Sequence, residues 1–204
     1  MRELFTAAYE THTAPWVIGE PQPAIVELER SGVLHGRILD VGCGLGEHTI
    51  LLTRLGYDVR GIDYVAEAIA QAGRNARDKG VDARFELADA LDLPADPRYD
   101  TIVDSALFHI FSDDDRTRYV ASLDRACAPG GRVFVLALSD AGRGFGPQVS
   151  EQTIRSAFRA GWELESLDTA TYRGVVGQAH ADPLGVPVGT VVDEPAWLAT
   201  VRHR

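Results

Sequence analysis

The sequence is poor in positive charge and almost without lysine. Acidic residues outnumber basic ones 30 to 20 among 204 residues, the net charge is -10, and Lys79 is the only lysine. Such a surface repels a phosphate backbone, and no run of Lys or Arg offsets it, so nucleic acid is not an expected partner. Cysteine is scarce too: Cys43 and Cys127 stand far apart, which indicates no disulfide framework. The six histidines are scattered and show no metal-ligand spacing, so no metal is expected. No stretch of about 18 apolar residues is present to span a membrane. The N-terminus lacks a charged region followed by an apolar run, so no signal peptide is read there. The expectation is a cytoplasmic protein without membrane contact, either monomer or homodimer. What is present is 45% hydrophobic and 25% charged residues, ordinary for a single domain with a buried core. No internal repeat, linker or low-complexity tail divides it.

Two helical stretches open the chain, Glu3 to Glu10 and Pro23 to Arg30. The second has Pro near its start and Ile25, Val26 and Leu28 to bury. An irregular Pro- and Gly-rich segment from Ala14 to Pro21 lies between them. An alternation follows. Arg37 to Val41 reads as a strand, then a Gly-rich turn, then a helix to about Leu55. Asp58 to Asp63 is a second strand. Val65 to Lys79 is a helix with Val65, Ile69, Ala72 and Ala76 on one face. Ala83 to Leu87 and Asp100 to Asp104 are strands three and four. Ser112 caps the next helix with Asp115 as its capping-box partner, and Asp113 and Asp114 suit the positive end of that helix better than a metal. Pro129-Gly130-Gly131 ends it, and Arg132 to Leu138 is an apolar central strand. Ser150 caps another helix with Ile154, Ala157 and Phe158 inward. Trp162 to Leu167 and Trp197 to Val201 are the last strands, and Gly174 to Gly189 reads as a mobile loop. Strands separated by helices predict an α/β fold, a parallel sheet covered on both faces.

The chemistry begins at Ile38-Leu39-Asp40-Val41-Gly42-Cys43-Gly44-Leu45-Gly46. Glycines after a strand allow a tight turn and let a ligand approach the backbone, and in an open parallel sheet this strand end borders the ligand crevice. A dinucleotide site needs its third glycine at position 47, but Glu47 stands there, facing where a pyrophosphate would lie. Asp40 ahead of the glycines suits a ligand with an ammonium group. Asp63 ends the second strand about twenty residues on, where an acid hydrogen-bonds ribose hydroxyls. Asp89 follows the third strand, placed either to meet an adenine amino group or to cap a turn.

Asp40-Val41-Gly42-Cys43-Gly44-Leu45-Gly46, Gly61-Ile62-Asp63, Ala88-Asp89-Ala90 and Pro129-Gly130-Gly131 resemble the motif series of class I S-adenosylmethionine-dependent methyltransferases, over roughly positions 36 to 138. The resemblance implies S-adenosyl-L-methionine as cofactor and S-adenosyl-L-homocysteine as product. It implies a Rossmann-like seven-stranded sheet with an antiparallel last strand. Its cofactor contacts are Asp40, Gly42, Cys43 and Gly44 at the turn, Asp63 at the ribose, Tyr64 bordering the adenosine, Asp89 and Ala90 at the adenine, and Ser105. One domain, 1–204, is expected: a helical cap over the active site in 1–35 and the Rossmann-like core in 36–204.

The segment after strand four, Asp104-Ser105-Ala106-Leu107-Phe108-His109, lacks the Asn-Pro-Pro-Tyr common in enzymes that methylate base or amide nitrogens. This counts against DNA and protein-glutamine substrates. Pro15-Trp16-Val17-Ile18-Gly19-Glu20-Pro21-Gln22-Pro23 and Ala106-Leu107-Phe108-His109-Ile110-Phe111 resemble the small-molecule branch, which includes thiopurine, thiol, halide and heterocyclic-toxin methyltransferases. Val17 stands where its members often carry Asp. The resemblance implies a small flat or soft acceptor methylated at O, S or ring N by in-line displacement, which requires alignment and exclusion of water.

His109, next to strand four, is the candidate base and acceptor contact, or else a histidine hydrogen-bonded near the Ser112 helix start. Trp16 either closes over cofactor or acceptor or packs the N-terminal helices. Tyr9 and Tyr172 are further acceptor-pocket candidates. His48 reads as structural or a minor cofactor contact, and Cys43 as a small apolar filler. Two other function classes stay open: a non-catalytic cofactor-binding sensor, and an NAD-dependent oxidoreductase, which Asp40 and Glu47 oppose.

Overall fold

The computed structural model describes residue 9 and residues 14–204. The expected first helix, Glu3 to Glu10, lies outside the described residues, Tyr9 apart. Seven strands form one sheet in the order β3-β2-β1-β4-β5-β7-β6. They are β1 (Arg37–Val41), β2 (Asp58–Asp63), β3 (Arg84–Leu87), β4 (Tyr99–Ser105), β5 (Cys127–Leu138), β6 (Trp162–Val175) and β7 (Val191–His203). The first five run parallel. β7 enters antiparallel between β5 and β6, as the family resemblance implies.

The interior strands are apolar because they are covered twice. Neighbouring residues on β1, β4 and β5 point to opposite faces. Leu39, Ile102 and Val133 join Tyr119, Leu123, Ile154 and Phe158 on one side, while Ile38, Val103 and Phe134 join Ile25 and Leu52 on the other. Each fully buried aliphatic side chain of this kind stabilises the fold by roughly 1.5–3 kcal/mol. β3 lies at the sheet edge and keeps the short, largely exposed sequence Arg-Phe-Glu-Leu.

The helices are α1 (Pro23–Arg30), α2 (Glu47–Arg54), α3 (Ala66–Asp78), α4 (Asp113–Ala126), α5 (Glu151–Ala157) and α6 (Gln178–Leu184). α3 buries Ala68, Ala72 and Ala76; Ile69, expected on that face, is only half-buried. Ser112 Oγ accepts the Asp115 N–H at 3.2 Å, and Asp113 pairs with Arg116 at 2.6 Å. The acidic run there serves its helix.

Three sequence expectations are corrected. Pro129-Gly130-Gly131 does not precede β5 but forms an excursion within it, where the register jumps from Tyr99↔Cys127 to Thr101↔Arg132. The last two strands are longer than read, because 168–175 pair with 191–198. Gly174 to Gly189 is not a bare loop. It carries α6, which runs through Pro183 and stops at Gly185 in the left-handed conformation.

Candidate active site

Between β1 and α2 the chain turns through Gly42 and Gly44, with φ of 72° and 53°. A side chain is disfavoured there, since L-residues rarely adopt this region. A Cβ on Gly44 would also lie 2.9 Å from the Tyr9 hydroxyl. Gly46 sits at φ 88° as the N-cap of α2, and a Cβ there would lie 2.7 Å from the Phe85 ring.

Two buried carboxylates hold this turn. Asp40 Oδ2 accepts from Thr49 Oγ1 at 2.6 Å and from Thr49 N at 3.1 Å. It thereby ties the end of β1 to the first turn of α2. Asp63 Oδ2 accepts the Gly44 N–H at 3.1 Å, and its Oδ1 accepts the Val65 N–H at 2.9 Å. Burial pushes both carboxyls above the usual range, opposed at Asp40 by His48 and Thr49 and at Asp63 chiefly by the two backbone donors. Burial raises Glu47 as well.

A cavity of about 680 Å³ opens beside the turn, within the range of roughly 300–1,000 Å³ typical of ligand sites. One wall comes from the turn and the ends of β2 and β3: Gly42, Cys43, Gly44, Asp63, Tyr64 and Ala90. The other comes from distant segments and includes Trp16, Gln22, Ser105, His109, Tyr172 and His180. Eleven of the sequence candidates thus meet in one space: Tyr9, Trp16, Gly42, Cys43, Gly44, Asp63, Tyr64, Ala90, Ser105, His109 and Tyr172.

Two candidates expected to touch the cofactor stand off the wall. Asp40 is 1% exposed and is used by Thr49. Asp89 flanks the wall between Ala88 and Ala90, and its Oδ1 accepts the Leu91 N–H at 3.0 Å, the turn-capping alternative. Tyr9 lies against Gly44; its hydroxyl accepts from Trp16 Nε1 at 2.9 Å, with the rings edge-on at 5.8 Å. Cys43 is buried, and burial with the nearby carboxylates pushes its thiol well above the ordinary range, which fits a filler and not a nucleophile.

The β4 end is held by Asp104. Its Oδ1 accepts Leu107 N–H at 2.9 Å and Phe108 N–H at 3.2 Å, and its Oδ2 accepts the Tyr119 hydroxyl at 2.7 Å. Burial lifts this carboxyl to about 6. The bonds stabilise Ala106 at φ 72°, a strained conformation for a residue with a side chain and one that clusters at functional sites. His109 follows on the same turn and is buried at the cavity wall, with its Nδ1 accepting the Leu138 N–H at 3.0 Å. Burial lowers its pKa to about 4. The ring is therefore neutral near pH 7, with Nδ1 an acceptor and the proton on Nε2. The expected base role meets an obstacle here, because the basic nitrogen is already engaged.

Several wall residues were not read from the sequence. Gln22 donates its backbone N–H to His48 Nε2 at 3.0 Å, and its side-chain amide brackets Arg173 by donating to the carbonyl at 2.7 Å and accepting the N–H at 2.9 Å. Phe145 and Pro147 reach the wall from the loop after β5, and Phe145 stacks on His180 of α6 at 4.9 Å. That loop is fixed by buried Glu194, whose carboxylate takes the Arg143 N–H at 3.2 Å and the guanidinium Nε at 2.9 Å.

The residues present suit a cationic nucleoside. Glu20, Glu47 and Asp63 line the cavity, and among the described residues no Arg or Lys does. That is poor surroundings for a pyrophosphate and good surroundings for a sulfonium with an ammonium tail. Among the described residues no group of three or more His, Cys, Asp or Glu side chains is placed to hold a metal ion, and no helix is long and apolar enough to cross a membrane.

The sheet order and this turn define a Rossmann-like nucleoside-binding fold. The methyltransferase-domain family matches residues 38–131. The 2-heptyl-1-hydroxyquinolin-4(1H)-one methyltransferase of Mycobacteroides abscessus is 35% identical over 185 residues, covering 83% of this chain and 81% of that protein. The 27-O-demethylrifamycin SV methyltransferase of Amycolatopsis mediterranei is 30% identical, over 82% of this chain and 61% of its own length. A solved structure described for the conversion of a disulfide bond into a thioacetal group during echinomycin biosynthesis superposes with a TM-score of 0.89 at 36% identity, covering 98% of this chain and 92% of that one. The chain belongs to the class I S-adenosylmethionine-dependent methyltransferases, on a branch whose named members act on small molecules.

Proposed function

We propose that this protein methylates a small, flat, ring-bearing acceptor at O, S or ring N, with oxygen favoured, by in-line displacement. The single observation that carries the reading is the shared cavity, where the carboxylate-held glycine turn faces a wall bearing Trp16, Phe145 and Tyr172. Aromatic walls select flat, polarisable partners. The favoured acceptor is a heteroaromatic hydroxyl, in line with the hydroxyquinolone named for the Mycobacteroides abscessus relative. A sulfur acceptor is the second reading, favoured by the disulfide chemistry named for the 36%-identical structure.

In this reading S-adenosylmethionine supplies an electrophilic methyl group bonded to a positively charged sulfur. Gly42, Cys43 and Gly44 hold its amino-acid end by backbone, Asp63 its ribose, and Tyr64, Ala90 and Ser105 its nucleoside. Asp40 and Asp89 act at one remove, by fixing the turns that carry these groups. Residues 1–35 serve as a cap over the core of 36–204; Trp16 and Gln22 on the wall support this. Trp16 and Tyr172 then exclude water and align the acceptor.

The test is release of S-adenosylhomocysteine with a panel of N-hydroxyquinolones, phenols, thiols and halides, alongside calorimetry with S-adenosylhomocysteine. Turnover of the heteroaromatic hydroxyl is expected. Turnover of thiols alone selects the second reading. Tight S-adenosylhomocysteine binding with silence across the panel overturns the proposal in favour of a sensor.

A further inference from the structure

His109 lines the cavity with its ring held in place by a hydrogen bond at one nitrogen. Nδ1 accepts the buried Leu138 N–H, a bond whose loss would strand a backbone donor at a cost of about 1–3 kcal/mol. Nε2 has no partner among the described residues, and it is not one of the sealed, unpartnered atoms. It is left open to the cavity that His109 lines. An imidazole held this way offers a hydrogen and has no free lone pair with which to take one.

We infer that His109 is a neutral hydrogen-bond donor to the acceptor oxygen, and that the acceptor is methylated as an oxyanion formed before the reaction. This rests on the reading above that the acceptor is a hydroxyl. The acceptor oxygen forms its bond to the methyl carbon as the carbon–sulfur bond breaks, and the bonding pair stays on sulfur. The oxyanion and the sulfonium both become neutral, and no proton remains for the protein to remove. The substrate class narrows accordingly to hydroxyls acidic enough to be ionised at working pH, such as a hydroxyl on the nitrogen or an electron-poor carbon of a heteroaromatic ring.

The surroundings agree. The ionisable and charged groups packed near the turn are Asp104 on β4 and Arg116 and Tyr119 on α4, and the cavity wall adds Glu20, Glu47, Asp63, His48 and His180 together with Cys43 and the tyrosines Tyr9, Tyr64 and Tyr172. None of them offsets the effect of burial on His109, so no neighbour makes this ring basic. With no Arg or Lys on the described wall, an anionic acceptor depends on the His109 N–H and on the positive sulfur of the cofactor. Acceptor binding is therefore expected to follow cofactor binding.

The test has an acceptor-free part and a turnover part. Long-range proton–nitrogen spectra of the histidine rings, taken with S-adenosylhomocysteine at pH 7 and assigned by loss in His109→Asn, are expected to show the Nε2–H form. A protonated Nδ1 or a doubly protonated ring overturns the donor role. In His109→Asn the side-chain carbonyl takes over the Leu138 N–H while the Nε2–H is lost. With 1-hydroxyquinolin-4-one and a less acidic ring hydroxyl as probes, kcat/KM should fall about tenfold in this variant with S-adenosylhomocysteine affinity unchanged. The rising limb of the wild-type pH profile should move with the acidity of the probe. A limb that stays fixed across probes but vanishes in His109→Asn identifies His109 as a base and overturns the inference, as does unchanged kcat/KM. If neither hydroxyl is methylated, the acceptor reading fails on its own and the oxyanion half of the inference falls with it, while the ring spectrum still decides the donor half.

Discussion

One wall of the cavity comes from residues 42–65 and the Ala88–Ala90 stretch, and its key positions are glycines and main-chain donors held by Asp40 and Asp63. The opposite wall is assembled from the irregular segment before α1, the ends of β4 and β5, the loop at Phe145, β6 and α6, and it works through side chains. In the proposed reading the first wall recognises a constant ligand with backbone, which tolerates little change, and the second recognises the variable partner with replaceable side chains. Relatives named for a hydroxyquinolone, a rifamycin and the conversion of a disulfide share the fold and differ in acceptor, as such a division requires.

The comparison breaks most sharply at Asp63. Asp63→Ala removes the proposed ribose contact and orphans the Gly44 and Val65 N–H groups, so S-adenosylhomocysteine affinity should fall at least ~100-fold. Calorimetry checks it; tight binding would move the cofactor off this wall. Behind the other wall, Arg143→Ala leaves the buried Glu194 carboxylate without its guanidinium. The arginine is half exposed, which discounts the pair, so about 2 kcal/mol of stability should be lost. Acceptor KM should rise and cofactor affinity hold, as melting and kinetics would show.

A pH scan sharpens the picture further. The folded pKa of His109 is depressed from 6.5 to about 4, so the unfolded chain binds more protons between these values. Stability is full above 6.5 and declines as pH falls toward 4. Asp104, raised from 3.8 to about 6, acts in the opposite sense over nearly the same window, gaining stability on acidification. His109→Asn removes only the first effect. Relative to it, the wild type should lose about 2 kcal/mol between pH 6.5 and 4.5 in denaturant titrations; parallel curves would contradict the buried neutral ring. The smallest effect is expected at Tyr172, buried on the acceptor wall. Tyr172→Phe should raise acceptor KM by about three- to tenfold without touching cofactor affinity.

The division between the walls also explains what the sequence revealed. The turn, Asp63, Tyr64 and Ala90 were readable because contiguous residues at fixed spacing form them. Asp40 was readable as a motif, but whether it meets the ligand or Thr49 depends on a contact nine residues away. Phe145, Gln22 and His180 were missed because their partners lie far along the chain, and proximity in space leaves no local period. One signal was available. Val192, Glu194 and Ala196 alternate inward on β7, and an acid at an inward position demands a charged or hydrogen-bonding partner, here Arg143. The Gly174 to Gly189 segment misled because its glycines and Pro183 obscured a short helix whose face meets Phe145.

Gln22 has a further consequence. β6 ends the sheet, so its outer main-chain groups would stand ready to recruit a foreign strand. The Gln22 amide occupies the carbonyl and N–H of Arg173, and the Pro15 carbonyl takes the Val175 N–H at 2.8 Å. The same stretch that lines the cavity thus also seals a sticky border, and unseating it to admit a ligand would bare that border for aggregation, with amide exchange at Arg173 as its gauge.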